Sequence, residues 1–225
     1  MPEETYLAEI AEYYNHSRVP AEPGAAVGFR KDAGRPLSWA YPIVAEMQSL
    51  FEGKRVLEAA CGMGRWTQIA ADVAAHVVAT DVSPNLLENA RGLPFPKGNV
   101  AFLQSDAFDI QQIAGPFDAG LHMNFINHLP LPLVPRFLDG FHAALGSGAM
   151  VFCGAQRFRG DAKDPCYETH EGDTVSLRHH DDGRPVEVVD TLFTEDLLRG
   201  LLAGRGTHLH VSMNKWWWWT HYQVA

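Results

Sequence analysis

The stretch Val56-Leu-Glu-Ala-Ala-Cys-Gly-Met-Gly-Arg65 sets a carboxylate, Glu58, and two glycines, Gly62 and Gly64, where an apolar run gives way to a helical pattern. Glycines at that point let the backbone come against a ligand where a side chain would intervene. A second carboxylate, Asp81, ends the next apolar run, His76-Val-Val-Ala-Thr-Asp81. An acidic residue at the tip of a second strand is placed to accept from ribose hydroxyls in an α/β nucleotide site. The two together point to an adenosine-containing cofactor. Further on, Leu121-His-Met-Asn-Phe-Ile-Asn-His-Leu129 puts Asn124, Asn127 and His128 into an otherwise apolar run. A histidine ordinarily titrates near neutrality, so His128 is suited to take a proton from an amine or hydroxyl. It would equally serve to cap the following helix.

These residues need a scaffold, and the apolar spacing supplies one. Leu7, Ile10, Ala11 and Tyr14 form a helical stripe within 3–15. Residues 16–38, with Pro20, Pro23, Gly24, Gly28, Gly34 and Pro36, read as an irregular loop long enough to act as a lid. A helix through Ile43, Val44, Met47, Leu50 and Phe51 follows, then strand 55–60, helix 64–73, strand 76–81 and helix 84–91. Ser83 and Pro84 are an N-cap and first-position pair for that last helix. Strands at 100–105, 117–123 and 149–153 and a helix at 133–145 continue the alternation, which implies a parallel sheet covered on both faces. The pattern breaks at 155–192, where Asp181-Asp-Gly183 between two alternating runs signals an inserted β-hairpin. A helix at 195–203 capped by Thr194, a strand through Leu209, Val211 and Met213, and the run Trp216-Trp-Trp-Trp219 close the sequence. Four adjacent tryptophans put large rings on both faces of one strand, so that strand should be central or lie beneath a ligand or partner.

The chain has 225 residues, 46% hydrophobic, which suits a single well-packed domain over 1–225. A net charge of −9 argues against a nucleic-acid partner, which needs a positive field. Arg30, Lys31 and Arg35 cluster, but as solvated loop charge. Cys61, Cys153 and Cys166 have no metal-ligand or redox spacing, and reduced thiols suit a cytoplasmic protein. No apolar run reaches the roughly 18 residues of a membrane span. The acidic start, Met-Pro-Glu-Glu-Thr, is unlike a signal peptide. His208 and His210 share a strand face at a spacing a metal could use, yet no acidic or cysteine partners accompany them, so no metal is expected.

The acidic strand end, the glycine turn, Asp81 and Asp106-Ala-Phe108 in register resemble the class I S-adenosylmethionine (SAM)-dependent methyltransferases. The likeness covers about residues 40–154 by motif and the closing helix–strand–strand by layout. It implies an α/β, Rossmann-like, seven-stranded, mostly parallel sheet between helices. A helical N-terminal cap over 1–39, a hairpin insertion over 155–192 and a final antiparallel strand complete it. Ala60 stands where the family usually has Gly, and Glu58 where Asp is commoner. By resemblance, Glu58 lies near the methionine ammonium or an ordered water holding it, and the backbone of Ala60, Gly62, Met63 and Gly64 lines the cofactor. Asp81 would accept from the ribose, Val82 pack on the adenine, Asp106 and Ala107 bond its edge, and Phe108 cover its ring. Asn124 and His128 would lie beside the departing methyl, with Tyr14 in the cap; Arg18, Arg30, Tyr13, Trp39 and Tyr41 are further cap candidates.

The implied activity is methyl transfer to N or O of a small molecule, largely by alignment and desolvation. A lyase or cyclase of this fold would instead release methylthioadenosine from SAM. A nicotinamide dehydrogenase would prefer a full G-x-G-x-x-G, whereas Thr67 holds the last glycine's offset from Gly62. A non-catalytic SAM-binding module, with the tryptophan run as its interface, is the remaining reading. The implied partner is a small-molecule substrate, with neither nucleic acid nor membrane; a homodimer is compatible with it.

Overall fold

The computed structural model describes residues 3–16, 41–157, 166–168 and 172–225. All but the first residue of the loop expected to form a lid, Arg18 and Arg30 included, lies outside them, as does Trp39. In chain order the elements are α1 (Glu3–His16), α2 (Tyr41–Phe51), β1 (Arg55–Glu58), α3 (Arg65–Ala71), β2 (His76–Asp81), α4 (Pro84–Arg91), β3 (Val100–Gln104) and β4 (Ala119–Met123). Then come α5 (Val134–Leu145), β5 (Met150–Gln156), β6 (Cys166–Glu168), β7 (Thr174–His179), β8 (Pro185–Val189), α6 (Glu195–Leu202), β9 (Gly206–Met213) and β10 (Trp217–Val224).

Seven strands make the main sheet in the order β3-β2-β1-β4-β5-β10-β9. β1 to β5 are parallel, while β10 runs antiparallel to both β5 and β9. Such a sheet must be covered on both faces, and it is. Ile43, Met47 and Phe51 of α2 pack with α3 under one face, and Phe137, Leu138 and Phe141 of α5 pack under the other. β10 carries the tryptophan run between the layers: Trp217 and Trp219 join the α2–α3 side, and Trp218 with Tyr222 joins the α5 side. Asn214 Oδ1 accepts from the amides of Trp216 and Trp217, at 2.8 Å each, which tightens the β9–β10 turn. Trp217 to Trp219 are thus core residues, and Trp216 alone of the four is 40% exposed. The run does not form an outward face, which removes the interface role considered from sequence.

The insertion differs from a plain hairpin. A third strand, β6, joins β7 and β8 in a separate antiparallel sheet. The Asp181-Asp-Gly183 turn closes it as expected, with Gly183 in the left-handed region and its amide on His180 O at 2.9 Å. This ribbon packs on α1: Tyr6 meets Val175 and Val189, and Tyr13 meets Val186 and Val188. The far end of α1 is tied to α4, where Asn15 Oδ1 accepts from Ser83 Oγ at 2.7 Å and Asn15 O accepts from Asn85 Nδ2 at 2.9 Å. α1 therefore bridges ribbon and sheet. Among the described residues no helix is long and apolar enough to cross a membrane.

Candidate active site

β1 and β4 are neighbours from which the chain winds in opposite directions, so a crevice opens beyond their carboxyl ends. The β1–α3 loop shapes its floor. Ala59 N donates to Leu121 O, Cys61 N to Thr80 O and Gly64 N to Cys61 O, which pins the loop to β4, β2 and itself. Three of its residues have left-handed backbone: Ala60 (φ 52°), Gly62 (φ 55°) and Gly64 (φ 78°). The two glycines serve different ends. A Cβ on Gly62 would meet nothing within 4 Å and project into open space, whereas one on Gly64 would meet Ala90 Cβ at 3.0 Å. Gly62 keeps the floor clear, and Gly64 lets α3 approach α4. Ala60 holds a conformation that costs an L-residue about 1–2 kcal/mol.

Asp81 stands at the wall, 7% exposed. Its Oδ2 accepts from Gly62 N at 2.8 Å and its Oδ1 from Ser83 N at 2.9 Å. Burial pushes its pKa up, and the backbone amides of Ser83, Gly62 and Val82 pull it back. Each oxygen retains a lone pair for a further donor, which is what a pair of ribose hydroxyls requires.

The cavity has a volume of about 290 Å³. Of the residues singled out from sequence, Ala60, Gly62, Met63, Asp81, Val82, Asp106, Ala107, Phe108, Asn124, His128 and Tyr14 line it. Asp106 does two things, since its Oδ1 also accepts from Phe108 N at 2.8 Å and caps the short 3-10 turn at Ala107–Gln112. The Arg136 guanidinium lies 4.8 Å from the Phe108 ring centre, on a ring that also forms cavity wall.

Glu58 and Gly64 are not brought to the wall. Glu58 is 2% exposed behind the loop, and its Oε2 accepts from the Thr67 hydroxyl at 2.6 Å. Burial, helped by the neighbouring Asp81 charge, raises its pKa to about 8, against the pull of the Thr67 bond. The carboxyl is sealed behind the loop and does not line the cavity, so it does not directly face the place that the resemblance gave to an ammonium. Asn124 reaches the wall in a left-handed conformation (φ 53°), but its Oδ1 already accepts from Gln156 N at 3.0 Å. Its carbonyl oxygen serves the β4–β5 junction more directly than a methyl group. Asn127 is buried behind the wall. His128 faces the cavity, with its ring 5.7 Å from that of Tyr14.

Several wall residues carried no sequence signal of that role. Leu7 and Ile10 were legible as a helical stripe, yet part of that stripe roofs the cavity. Arg65 follows the glycine turn directly and also lines it. The β8 residues that hold His128 are far off in sequence and have no motif. Among the described residues no three His, Cys, Asp or Glu side chains converge on a metal position. His210 instead stacks on His221, which pairs with Glu46 at 2.7 Å.

Residues 56–148 match the family model described as "Methyltransferase domain". A protein-L-isoaspartate O-methyltransferase from Picosynechococcus sp. is 26% identical over 154 residues, spanning 64% of this chain and 68% of that one. The DhpI–SAH complex overlays with a TM-score of 0.74 at 21% identity, covering 100% of this chain and 99% of that one. SAM-bound CalS10, an amino pentose methyltransferase from Micromonospora echinaspora involved in calicheamicin biosynthesis, overlays at 0.56 with 17% identity, covering 85% and 93%. At these identities the likeness to the solved structures is one of fold.

Proposed function

We infer, for a chain that carries a class I SAM-dependent methyltransferase domain, that the methyl group goes to a nitrogen or oxygen of a small molecule enclosed beneath α1. The observation that carries the reading is one cavity that holds Asp81 above the cleared Gly62 floor and ends at His128 and Tyr14 under the α1 roof. The site fits SAM on its own chemistry. Asp81 offers acceptors to the ribose, the Asp106–Phe108 turn offers a polar edge and a ring to the adenine, and Gly62 leaves room for the chain between them. When bound, SAM supplies an electrophilic methyl carbon on a sulfonium.

The protein's own contribution is to align the acceptor, exclude water and receive a proton. The apolar α1 stripe and Phe125 and Leu129 do the excluding, which strengthens every electrostatic interaction inside. Tyr14 offers a ring face and a hydroxyl to an amine or alcohol acceptor. His128 is the wall residue suited to receive the proton. A cavity of about 290 Å³ roofed by α1 supports a small acceptor over a macromolecular one. The free, buried Cys61 and Cys153 support a cytoplasmic setting.

Titration calorimetry with SAM and with NAD tests the cofactor assignment, and tight NAD binding without a SAM response overturns it. Incubation with SAM and a panel of small amines, alcohols and carboxylic acids tests the reaction. S-adenosylhomocysteine among the products supports methyl transfer. Methylthioadenosine in its place overturns it in favour of lyase or cyclase chemistry.

A further inference from the structure

Among the described residues, the ribbon meets His128 at the end of β8. Val189 O lies 2.8 Å from His128 Nδ1. A carbonyl oxygen only accepts, so Nδ1 carries the ring hydrogen and Nε2 is the basic nitrogen. Asp190 Oδ1 accepts from Asn127 Nδ2 at 3.0 Å, and the same amide nitrogen lies 3.2 Å from His128 Nε2. Because a carboxylate has only acceptors to offer, Asp190 fixes which way the Asn127 amide points, with its donor toward the histidine. Arg178 steadies Asp190 at 3.4 Å, in a pair whose side chains are only 18% and 16% exposed. The backbone is held as well: Thr191 N donates to Asn127 O at 2.8 Å. From α1, the Tyr6 hydroxyl donates to His128 O and accepts from Val189 N, both at 3.0 Å. His128 is thus set by the ribbon and the roof helix, neither of which belongs to the main sheet.

We propose that Asp190 is a positioning residue for His128, so that the inserted ribbon completes the catalytic machinery by holding His128 Nε2 ready to take the acceptor's proton. This rests on the methyl-transfer reading above. The entering N–H or O–H replaces the Asn127 amide at Nε2, a 3.2 Å contact against the 2.8 Å bond at Nδ1. Its proton would pass to Nε2, and the electron pair that held it would stay on the acceptor atom, which bonds the methyl as the methyl–sulfur bond breaks and leaves its pair on sulfur. The imidazolium keeps its Nδ1–H on Val189 O. Its new Nε2–H then faces the Asn127 donor, a mismatch that favours handing the proton to solvent once the product has left, which restores the resting contacts.

The test is the tautomer of His128 in the full chain labelled with ¹⁵N-histidine, read by long-range ¹H–¹⁵N correlation and assigned by the signal lost in His128→Gln. The wild type should show the Nδ1–H form. In Asp190→Ala the Asn127 amide is free to turn, so the Nε2 signal, which reports the bond that nitrogen accepts, should shift while Val189 O keeps the hydrogen on Nδ1. Asp190→Asn keeps an acceptor and should restore the wild-type pattern. An Nε2–H wild type, or an Asp190→Ala spectrum indistinguishable from wild type, overturns the proposal. The wild-type spectrum alone suffices if Asp190→Ala does not fold. Once an acceptor is found, Asp190→Ala should lower kcat at least tenfold with an unchanged Kd for SAM, and an unaltered kcat also overturns it. The spectrum needs neither SAM nor acceptor. A failed tautomer assignment is therefore distinct from a failed methyl-transfer reading, which shows itself as missing S-adenosylhomocysteine.

Discussion

Replacing Glu58 by glutamine should flatten the pH dependence of stability. The Glu58 carboxyl is sealed behind the β1–α3 loop, and its pKa rises from 4.5 to about 8, chiefly through burial. The folded chain then keeps this proton through neutrality while the unfolded chain gives it up. Since the folded value is the higher one, the group's stabilisation is complete below pH 4.5, declines as pH climbs toward 8 and levels off beyond. Each pH unit inside that window is worth about 1.4 kcal/mol, so the wild type should lose about 3 kcal/mol between pH 4.5 and 7 from this residue. Glutamine has no proton to release, and its Oε1 can accept the Thr67 hydroxyl as Glu58 Oε2 does at 2.6 Å. Asp81 shifts in the same direction but is common to both proteins, so it cancels in the comparison. Urea denaturation at pH 5, 7 and 8.5 provides the assay. The two proteins should nearly coincide at pH 5, and Glu58→Gln should lead by about 3 kcal/mol at pH 7 and by more at 8.5. Parallel pH profiles would refute the reasoning, because they would mean that Glu58 ionises within the fold.

Three further substitutions probe other links. Asp81→Ala removes the acceptor from the wall, and at about 1–3 kcal/mol per ribose hydroxyl left unpaired SAM should bind tenfold or more weakly. Calorimetry reads this, and an unchanged Kd removes Asp81 from the site. Ala60→Gly relieves the left-handed strain at φ 52°, and should raise urea stability by up to about 1 kcal/mol once glycine's greater unfolded-state freedom is offset. A loss of stability would show that the methyl group packs better than its backbone suggests. Tyr6→Phe deletes a hydroxyl that bonds both His128 O and Val189 N, leaving the latter without that acceptor. It should cost about 1–3 kcal/mol in thermal or urea unfolding, and a neutral result would mean that ribbon and roof dock without it.

The alternation of strands and helices was legible because each element carries its own apolar period, and Ser83, Thr194 and Gly183 marked boundaries through local chemistry. The tryptophan run was legible as a strand covered on both faces, because adjacent large rings point to opposite sides, but not whether the fold, a ligand or a partner covers it. What stayed hidden was long-range. Gly62 and Gly64 look alike in sequence, and only the position of Ala90 separates one that clears a cavity from one that seats a helix. Glu58 and Asp81 both end apolar runs, but the loop folds over the first and leaves the second at the wall. The groups that hold His128 are a backbone carbonyl, which has no residue signature, and side chains brought in from the ribbon and α1. β6 was missed because three residues are too few to show a period.

β10 comes last along the described sheet yet is inserted between two strands made before it, β5 and β9. As the polypeptide emerges from the ribosome, β1 to β5 can assemble while β5 still presents an unpaired rim. Seats on both layers stay vacant until the indoles of Trp217, Trp218 and Trp219 arrive. Neither layer closes ahead of the other, because the same few residues plug both. Chaperone protection during synthesis should therefore matter most in the interval after residue 156 and before residue 224 has been delivered.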